Sequence, residues 1–584
     1  MASEVGENPT VARRQLRQQA GRTRSERNAF FVGAGIVLSR ISGVVREGFL
    51  AAWLGTRSSA DAFSAALRIP KLLQNLLGEG ALSASFIPVY SQVLHRGDER
   101  RAGQVAGAVA GLLTLLTGAL VLFSVLLARP LAAVVAPGFS GQKHELTVYL
   151  IRIVAPGVGF LVLSAWCLGV LNSHRRFFLS YVAPVLWNTA IIIGLATAGI
   201  RAWAEANIAE AAAWGVLIGG GLQFFIQLPA VRAVVPHLRI TFSTRLQAVR
   251  AVARRFLPAV AGRGVVTLGN YTDLILASLL ATGAVAVLDR AQVLYLLPIS
   301  VFAVSVAAAD LPELSRASAS TASPSDSGQI PNKADHVSIA RRLAQGSERV
   351  LLFLMFSTVA FIMLGGEIVA ALYERVNFTS DDTLIVWWVL AVYSAGMVAS
   401  GLSRLLQNAC YAAGDVAGPA RISGIRLAIS LVVGIVLMFQ LDRIAIDSGT
   451  LYSVGSLPAF TPLDAAERAG TELRHLGPIG LAAGSMLGAS VELALLKRRV
   501  RRAIHHRVEF HRSIMRLIPA TLLAAASGGL IVWWLGSQNA ILVAMLALAV
   551  SGFVYLIVAN IAGHPVSRTL FRPLRRIIWG PPRQ

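Results

Sequence analysis

Charge is scarce in this chain. Charged residues make up 14% of its 584 residues and hydrophobic ones 55%, where a soluble domain carries about 25% charge. That excludes a soluble globular body of this length, and a mean hydropathy of +0.63 places the chain in a bilayer. Cysteine is nearly missing. Cys167 and Cys410 both lie within apolar stretches, so no disulfide framework is implied. Acid is rarer than base: 30 Asp and Glu stand against 53 Lys and Arg, for a net charge of +23. In a soluble protein such an excess would suggest nucleic acid. Here the base sits in short connections between apolar segments, as the positive-inside rule describes, and no nucleic acid is called for. A GxxxxGK[ST] phosphate loop is lacking too, and the glycine run at 215–221 (GVLIGGG) reads as a close-packing helix surface. The ten histidines have no zinc-like spacing, and neither paired carboxylates nor a nucleophile–histidine arrangement occurs. The sequence therefore points to neither a metal centre nor an enzyme active site. No secretory signal peptide is expected, because the first 28 residues are polar and the first apolar stretch is too long for one.

What the chain does have is long apolar segments along its whole length. A spanning helix needs ~20 mostly apolar residues. The sequence predicts an all-α polytopic membrane protein of about fourteen such helices, near 29–54, 61–93, 104–128, 145–170, 180–200, 208–234, 252–280, 286–310, 347–372, 382–414, 418–440, 475–497, 514–535 and 539–563. The basic tails (Arg13 to Arg27 and Arg568 to Arg583) and alternate connections (Arg96 to Arg101, Arg175 and Arg176, Arg239 to Arg255, Arg341 and Arg342, Lys497 to Arg507) fall on one side. The other connections are poor in base and contain Asp381, Asp382, Asp442, Asp447 and Asp464. Both termini are thus expected in the cytoplasm. The predicted organisation is a basic tail at 1–28, an N-lobe at 29–234, a C-lobe at 252–497, two further helices at 514–563 and a basic tail at 564–584. Two long connections interrupt the C-lobe. The one at 316–346 contains a stretch rich in Ser, Pro and Asp, 316–338, that reads as disordered, and the one at 441–474 is polar and lies on the outer side.

The informative residues are the charges inside the spans, since an ionisable group in hydrocarbon costs ~2.5–3.5 kcal/mol by insertion scales and needs a partner or a wet cavity. Arg40, Arg46 and Glu47 lie in the first helix; Asp61, Arg68, Lys71 and Glu79 lie in or near the second. The spacing Asp61, Arg68, Asn75, Glu79 puts these four on one helical face. Arg263 and Arg290 add base in later helices. Cations exceed anions in this set, so a cavity lined by them suits an anion, and the planar guanidinium fork matches phosphate oxygens in pairs. Pro70, Gly78 and Gly80 interrupt the second helix and are candidate hinge residues.

The segment SRISGVVREGFLAAWLG…ADAFSAALRIPKLLQNLLGEGALSASFIPVYSQ, with VLNSHRRF…APVLWN and CYAAGDVAGP further on, resembles the lipid II flippase (MurJ, or MviN) family. The resemblance implies the fold of the multidrug/oligosaccharidyl-lipid/polysaccharide exporter superfamily, which includes the MATE transporters: two six-helix lobes about a central cationic cavity, with two extra C-terminal helices forming a groove for a lipid tail. It implies a transporter rather than an enzyme, and a location in the bacterial inner membrane. The transporter would move undecaprenyl-pyrophosphate-linked muropeptide (lipid II) to the outer leaflet by alternating access, for cell-wall synthesis. Lipid II and the bilayer would be its partners, with cell-wall synthesis proteins as further candidates. No cofactor is called for; a membrane potential or an ion gradient would drive the cycle. The family's essential first-helix arginines carry over to Arg40 and Arg46, its second-helix acid to Asp61 and its EGA glutamate to Glu79. Three positions depart from the pattern. Gln74 stands where the family commonly has arginine. Val293 occupies the ungapped position of the eighth-helix arginine, three residues after Arg290. Ser430 and Gly434 replace eleventh-helix asparagines that would join Asp273 in a cation site; Asp273 could instead partner Arg263. The alternatives are a flippase for another polyprenyl-pyrophosphate-linked saccharide, whose pyrophosphate is identical, and a multidrug antiporter of the MATE type, which would favour acidic cavity residues.

Overall fold

The computed structural model describes residues 35, 37–303, 306, 333–412, 415, 417–470, 473–504, 510–536 and 538–570. The N-terminal basic tail, the connection as far as residue 332 and the C-terminal tail from 571 lie outside them. The described chain is overwhelmingly helical. Helix α1 covers 37–54. It is followed by α2 (Ser58–Ala66), α3 (Arg68–Leu77), α4 (Glu79–His95), α5 (Glu99–Leu126), α6 (Ala128–Val135), α7 (Gly141–Ser173), α8 (Phe177–Ile200), α9 (Glu205–Val234) and α10 (Gln247–Ala277). Then come α11 (Ala284–Pro298), running into a π-helical turn at Ile299–Ala303, α12 (Lys333–Met363), α13 (Gly365–Tyr373), α14 (Ser380–Ala395), α15 (Met397–Ala412) and α16 (Ala417–Leu441). The short α17 (Ala465–Ala469) precedes α18 (Gly477–Ile504), α19 (His511–Leu535) and α20 (Ala540–Ile561).

Among the described residues, ten helices are long and apolar enough to cross a membrane, or eleven when α14 and α15, bent by 42°, count as one span. These correspond to eleven of the fourteen expected spans. The other three are where charge and helix breaks are concentrated. Helix α1 carries Arg40, Arg46 and Glu47, α10 carries Arg263 and Asp273, and the expected span at 61–93 is divided among α2, α3 and α4. Large apolar side chains point outward from the spans, among them Leu122, Phe225, Leu522, Trp533 and Phe553. Lipid tails are as apolar as these side chains, so exposing them to a bilayer carries no penalty.

The chain divides into two compact units. One gathers the described residues up to Trp53 with Ala65–Val135 and Ser140–Leu268; the other gathers Leu54–Ser64, Ala136–Phe139 and the chain from Gly269 onward. In the first unit α9 packs against both α7 and α8. The expected glycine surface is there: a Cβ on Gly220 would lie 2.3 Å from the Gly157 carbonyl oxygen, so the two backbones can meet only because neither residue has a side chain. Gly107 on α5 has the same function for the chain after α9, since its Cβ would fall 1.9 Å from the Arg239 carbonyl oxygen. In the second unit the main pairing is α16 with α18.

The connection at 441–474 folds. Strands β1 (Ile444–Asp447), β2 (Thr450–Ser453) and β3 (Arg474–His475) form an antiparallel sheet in the order β2-β1-β3. The hairpin turn places Ser448 and Gly449 at positive φ, 50° and 76°, as a two-residue turn matched to strand twist requires. Asp381 fixes the turn by accepting from the Ser448 and Gly449 amides at 2.9 and 3.0 Å. Beside it Asp382 is fully buried. It closes a capping box with Thr379 at the start of α14, pairs with Arg474 and accepts from the Thr56 hydroxyl. One carboxylate thereby joins a helix start, the sheet and the segment after α1. The other long connection also differs from expectation: α12 begins at Lys333, so residues 333–338, the end of the stretch read from composition as disordered, are helical. The helix is polar in sequence over its first turns and becomes apolar only further along.

Removing one partner of a buried pair strands the other, at a cost of about 3–5 kcal/mol. Asp382→Ala is therefore expected to lower the unfolding free energy in detergent by about that amount, and Asp382→Ala with Arg474→Met by clearly less. A loss of the same size in both chains would show that the pair is not the source. A second outcome concerns pH. Burial pushes the Asp442 carboxyl, just past α16, up to about 7, against the pull of the Ala281 amide and of Arg443 and Arg468. The folded state then holds this proton more tightly than the unfolded chain. Its stabilising contribution is complete below the ordinary value of 3.8 and is lost as pH rises through about 7. Thermal melts of Asp442→Asn across that window should lose this part of the pH dependence; an unchanged profile would exclude Asp442 as its origin.

Candidate functional site

Helix α1 carries the first constellation. Arg40 is exposed, and Arg46, six residues on, is half-buried. Arg46 pairs with its neighbour Glu47, donates through Nη1 to Asn188 Oδ1 at 3.0 Å and lies over the Trp187 ring, 4.8 Å from its centroid. Asn188 is oriented in turn by its own donation to Ser42 Oγ at 2.8 Å. The guanidinium is thus held by a carboxylate, an amide and an aromatic face. Together these offset the desolvation of the charge and fix the plane of its donors. Asn188 and Trp187 are part of the site that reading single charges did not find, because the partners of a charge lie on a different helix. They stand within the APVLWN stretch, whose only signal in the sequence was the family pattern.

The broken second span carries the next group. It is interrupted at Leu67 and at Gly78. Pro70 is the third residue of α3, where its missing N–H would have had no helical partner in any case. The chain therefore breaks just ahead of the proline and not at it. Gly78 adopts φ −80° and ψ −130° between α3 and α4, with its amide donating to the Gln74 carbonyl. Glu79 and Gly80 begin α4. The side chains of Glu79 and Arg263 lie outside the described residues. Arg68 opens α3, is 4% exposed and donates through Nη1 to the Val135 carbonyl at 2.8 Å.

In the second unit Asp61 is 1% exposed, and its two oxygens accept from the Gly283 and Ala286 amides, both at 2.8 Å. It therefore closes the N-terminus of α11, where the first amides of a helix lack partners and a negative charge is favoured. Asp61 and Arg68 share a helical face on paper, but the break at Leu67 separates their elements. Arg290, on the same α11, is 5% exposed with its guanidinium over the Phe378 ring at 5.7 Å. Val293 is half-buried. Asp273 accepts from Ser485 at 2.5 Å and Tyr393 at 3.4 Å. Among the described residues no group of three or more His, Cys, Asp or Glu is placed to hold a metal. A further buried carboxylate, Glu492, takes hydrogen bonds from Gln407, Ser423 and Arg426 at 3.0, 3.0 and 2.7 Å. Glu492 and Arg426 are ionisable residues within apolar runs, the same signal that drew attention to Arg40.

The chain as a whole is similar to known proteins. The profile of the family described as lipid II flippase MurJ matches residues 50–460. A probable lipid II flippase of Rhizobium tropici is 32% identical over 416 residues, covering 70% of this chain and 74% of that protein. The lipid II flippase of Burkholderia cenocepacia is 28% identical over 413 residues, 70% and 75% of the two chains. In fold, the chain matches a lipid II flippase solved in an inward closed conformation, with a TM-score of 0.69 at 22% identity over 93% of this chain and 100% of that one. It also matches an inward-facing MATE multidrug transporter, with a TM-score of 0.59 at 15% identity over 80% and 94%. With the sequence profile covering most of its length and the helical architecture agreeing, this multi-pass membrane protein belongs to the MurJ family of lipid II flippases.

Proposed function

We propose that this chain carries lipid II, the polyprenyl-pyrophosphate-linked peptidoglycan precursor, from the inner to the outer leaflet of a bacterial cytoplasmic membrane. The observation that carries the reading is Arg46. Its guanidinium is fixed within the first unit by Asn188, Glu47 and Trp187, on a helix that also presents the exposed Arg40. A diphosphate offers several anionic oxygens to such forks, and charge-assisted contacts of this kind are the strong ones. Glu47 holds Arg46 between cycles and gives it up when a more highly charged partner arrives. Within the second unit, Arg290 is a separate candidate base, with its guanidinium over the Phe378 ring. Asp61 acts one step removed: it fixes the start of the helix that carries Arg290, which makes it a positioning residue for that side chain. The breaks at Leu67 and Gly78 supply places where the second span can change its bend.

A directional cycle needs a differential preference of its two states for substrate or ion, and a membrane potential acting on this charge-rich core supplies one at about 2.3 kcal/mol per charge per 100 mV. The base-rich connections support a cytoplasmic position for both termini. A multidrug antiporter is disfavoured, because a guanidinium fixed in this way suits an anion, not a cationic drug.

The test is complementation of a bacterium depleted of its own flippase, reading lipid II left in the inner leaflet. The wild-type chain should restore growth. Arg46→Ala, inserted at equal level, should slow translocation roughly ten- to a hundredfold, the equivalent of a lost charge-assisted contact. Arg46→Lys should recover little, since an ammonium lacks the fork. Restored growth by Arg46→Ala would end its assignment, and failure of the wild-type chain would count against the substrate. For the eighth span, Arg290→Ala is expected to lose complementation and Arg290→Ala with Val293→Arg to regain it. A silent Arg290→Ala would remove that residue from the machinery.

A further inference from the structure

A cavity of about 380 Å³ opens where α7 ends, α8 begins and α9 ends. Both α7 and α8 are long and apolar enough to span a bilayer, as is α9, so the short turn joining α7 to α8 must emerge at one membrane face, with the last turn of α9 beside it. The cavity lies at that level. Arg175 and Arg176 line it together with Phe178, Leu179, Ala233 and Val234, and among the described residues no acidic side chain does so. Phe178 is 54% exposed. Base and an apolar wall in one cavity match the two halves of a phospholipid's own chemistry, a phosphodiester and an acyl chain.

The backbone is built to keep the arginines there. Helix α7 ends with the Arg176 amide donating to the Leu171 carbonyl at 2.8 Å and the Arg175 amide to the Asn172 carbonyl at 3.0 Å. This double closure needs a left-handed residue just past the helix end, a place glycine usually takes. Arg175 occupies it at φ 58°. An arginine maintained against its conformational preference, at the rim of a cavity, is an observed strain that calls for a functional reason.

We infer that this cavity is a binding site for one anionic phospholipid. Its phosphate is held by Arg175 and Arg176, and an acyl chain lies along Phe178, Leu179, Ala233 and Val234. Phosphate chemistry alone would also admit free inorganic phosphate; the apolar wall favours the lipid. The site is independent of the transported substrate, and binding is read without turnover.

The experiment uses the full chain, delipidated in detergent and titrated with phosphatidylglycerol, phosphatidylcholine or inorganic phosphate. Bound lipid is counted by native mass spectrometry, and a photo-activatable phosphatidylglycerol maps its place on the wild-type chain. One phosphatidylglycerol should be retained, with crosslinks to residues 171–179 and 230–234. Arg175→Gly with Arg176→Gln should weaken it roughly tenfold or more. Arg175→Gly relieves the left-handed position, so this chain should melt no lower than wild type and misfolding cannot account for the loss. Ala233→Trp, which fills the apolar wall, should also reduce binding while leaving both charges. Equal retention of phosphatidylcholine, full competition by inorganic phosphate, crosslinks elsewhere, or an unaffected Ala233→Trp would each overturn the proposal.

Discussion

A charge enclosed by helices in hydrocarbon must find its counter-group within the chain, because no water is there to supply it. Most of what is distinctive about this protein follows from that constraint. Arg46 draws Glu47, Asn188 and Trp187 to itself; Glu492 takes three donors; Asp382 takes a hydroxyl, a guanidinium and an amide. Each group ties together elements far apart in sequence. The two roles differ in kind. Glu492 and Asp382 are buried and hold their unit together, whereas Arg46 is half-buried on a helix with the exposed Arg40.

The same constraint explains where the helices break. A continuous span through 61–93 would leave Pro70 in a helix interior. Instead the chain restarts at Arg68 and again at Glu79, and the fragment before the first break joins the second unit, with Asp61 closing α11. An acid that looked from its spacing like a cavity-lining charge is thereby occupied with backbone amides.

The fold was widely legible in the sequence. Apolar length located eleven spans because hydrophobicity over about twenty residues is a property of local composition. The three other expected spans, α1, the α2–α4 stretch and α10, are those in which charge and breaks displace apolar residues, and the longest family motif lies in the first two of them. The sheet at 444–475 was not legible. Its strands are two to four residues long, and β3, which pairs with β1, is tied through Arg474 to Asp382 on α14, outside the connection. Arg290 and Val293 could be counted along a helix, but not assigned, since a register says nothing about whether a side chain lies over Phe378 or elsewhere.

By itself, then, the sequence determined that this is a many-spanning membrane protein, that base gathers on one side of it, and which charges lie where charge is expensive. These are matters of composition and period, and a single segment carries them. Tertiary structure alone decided which groups satisfy those charges: Asn188 and Trp187 for Arg46, the α11 amides for Asp61, the sheet arginine for Asp382. Partnership between residues 92 to 225 positions apart depends on how helices pack, and no local pattern encodes it.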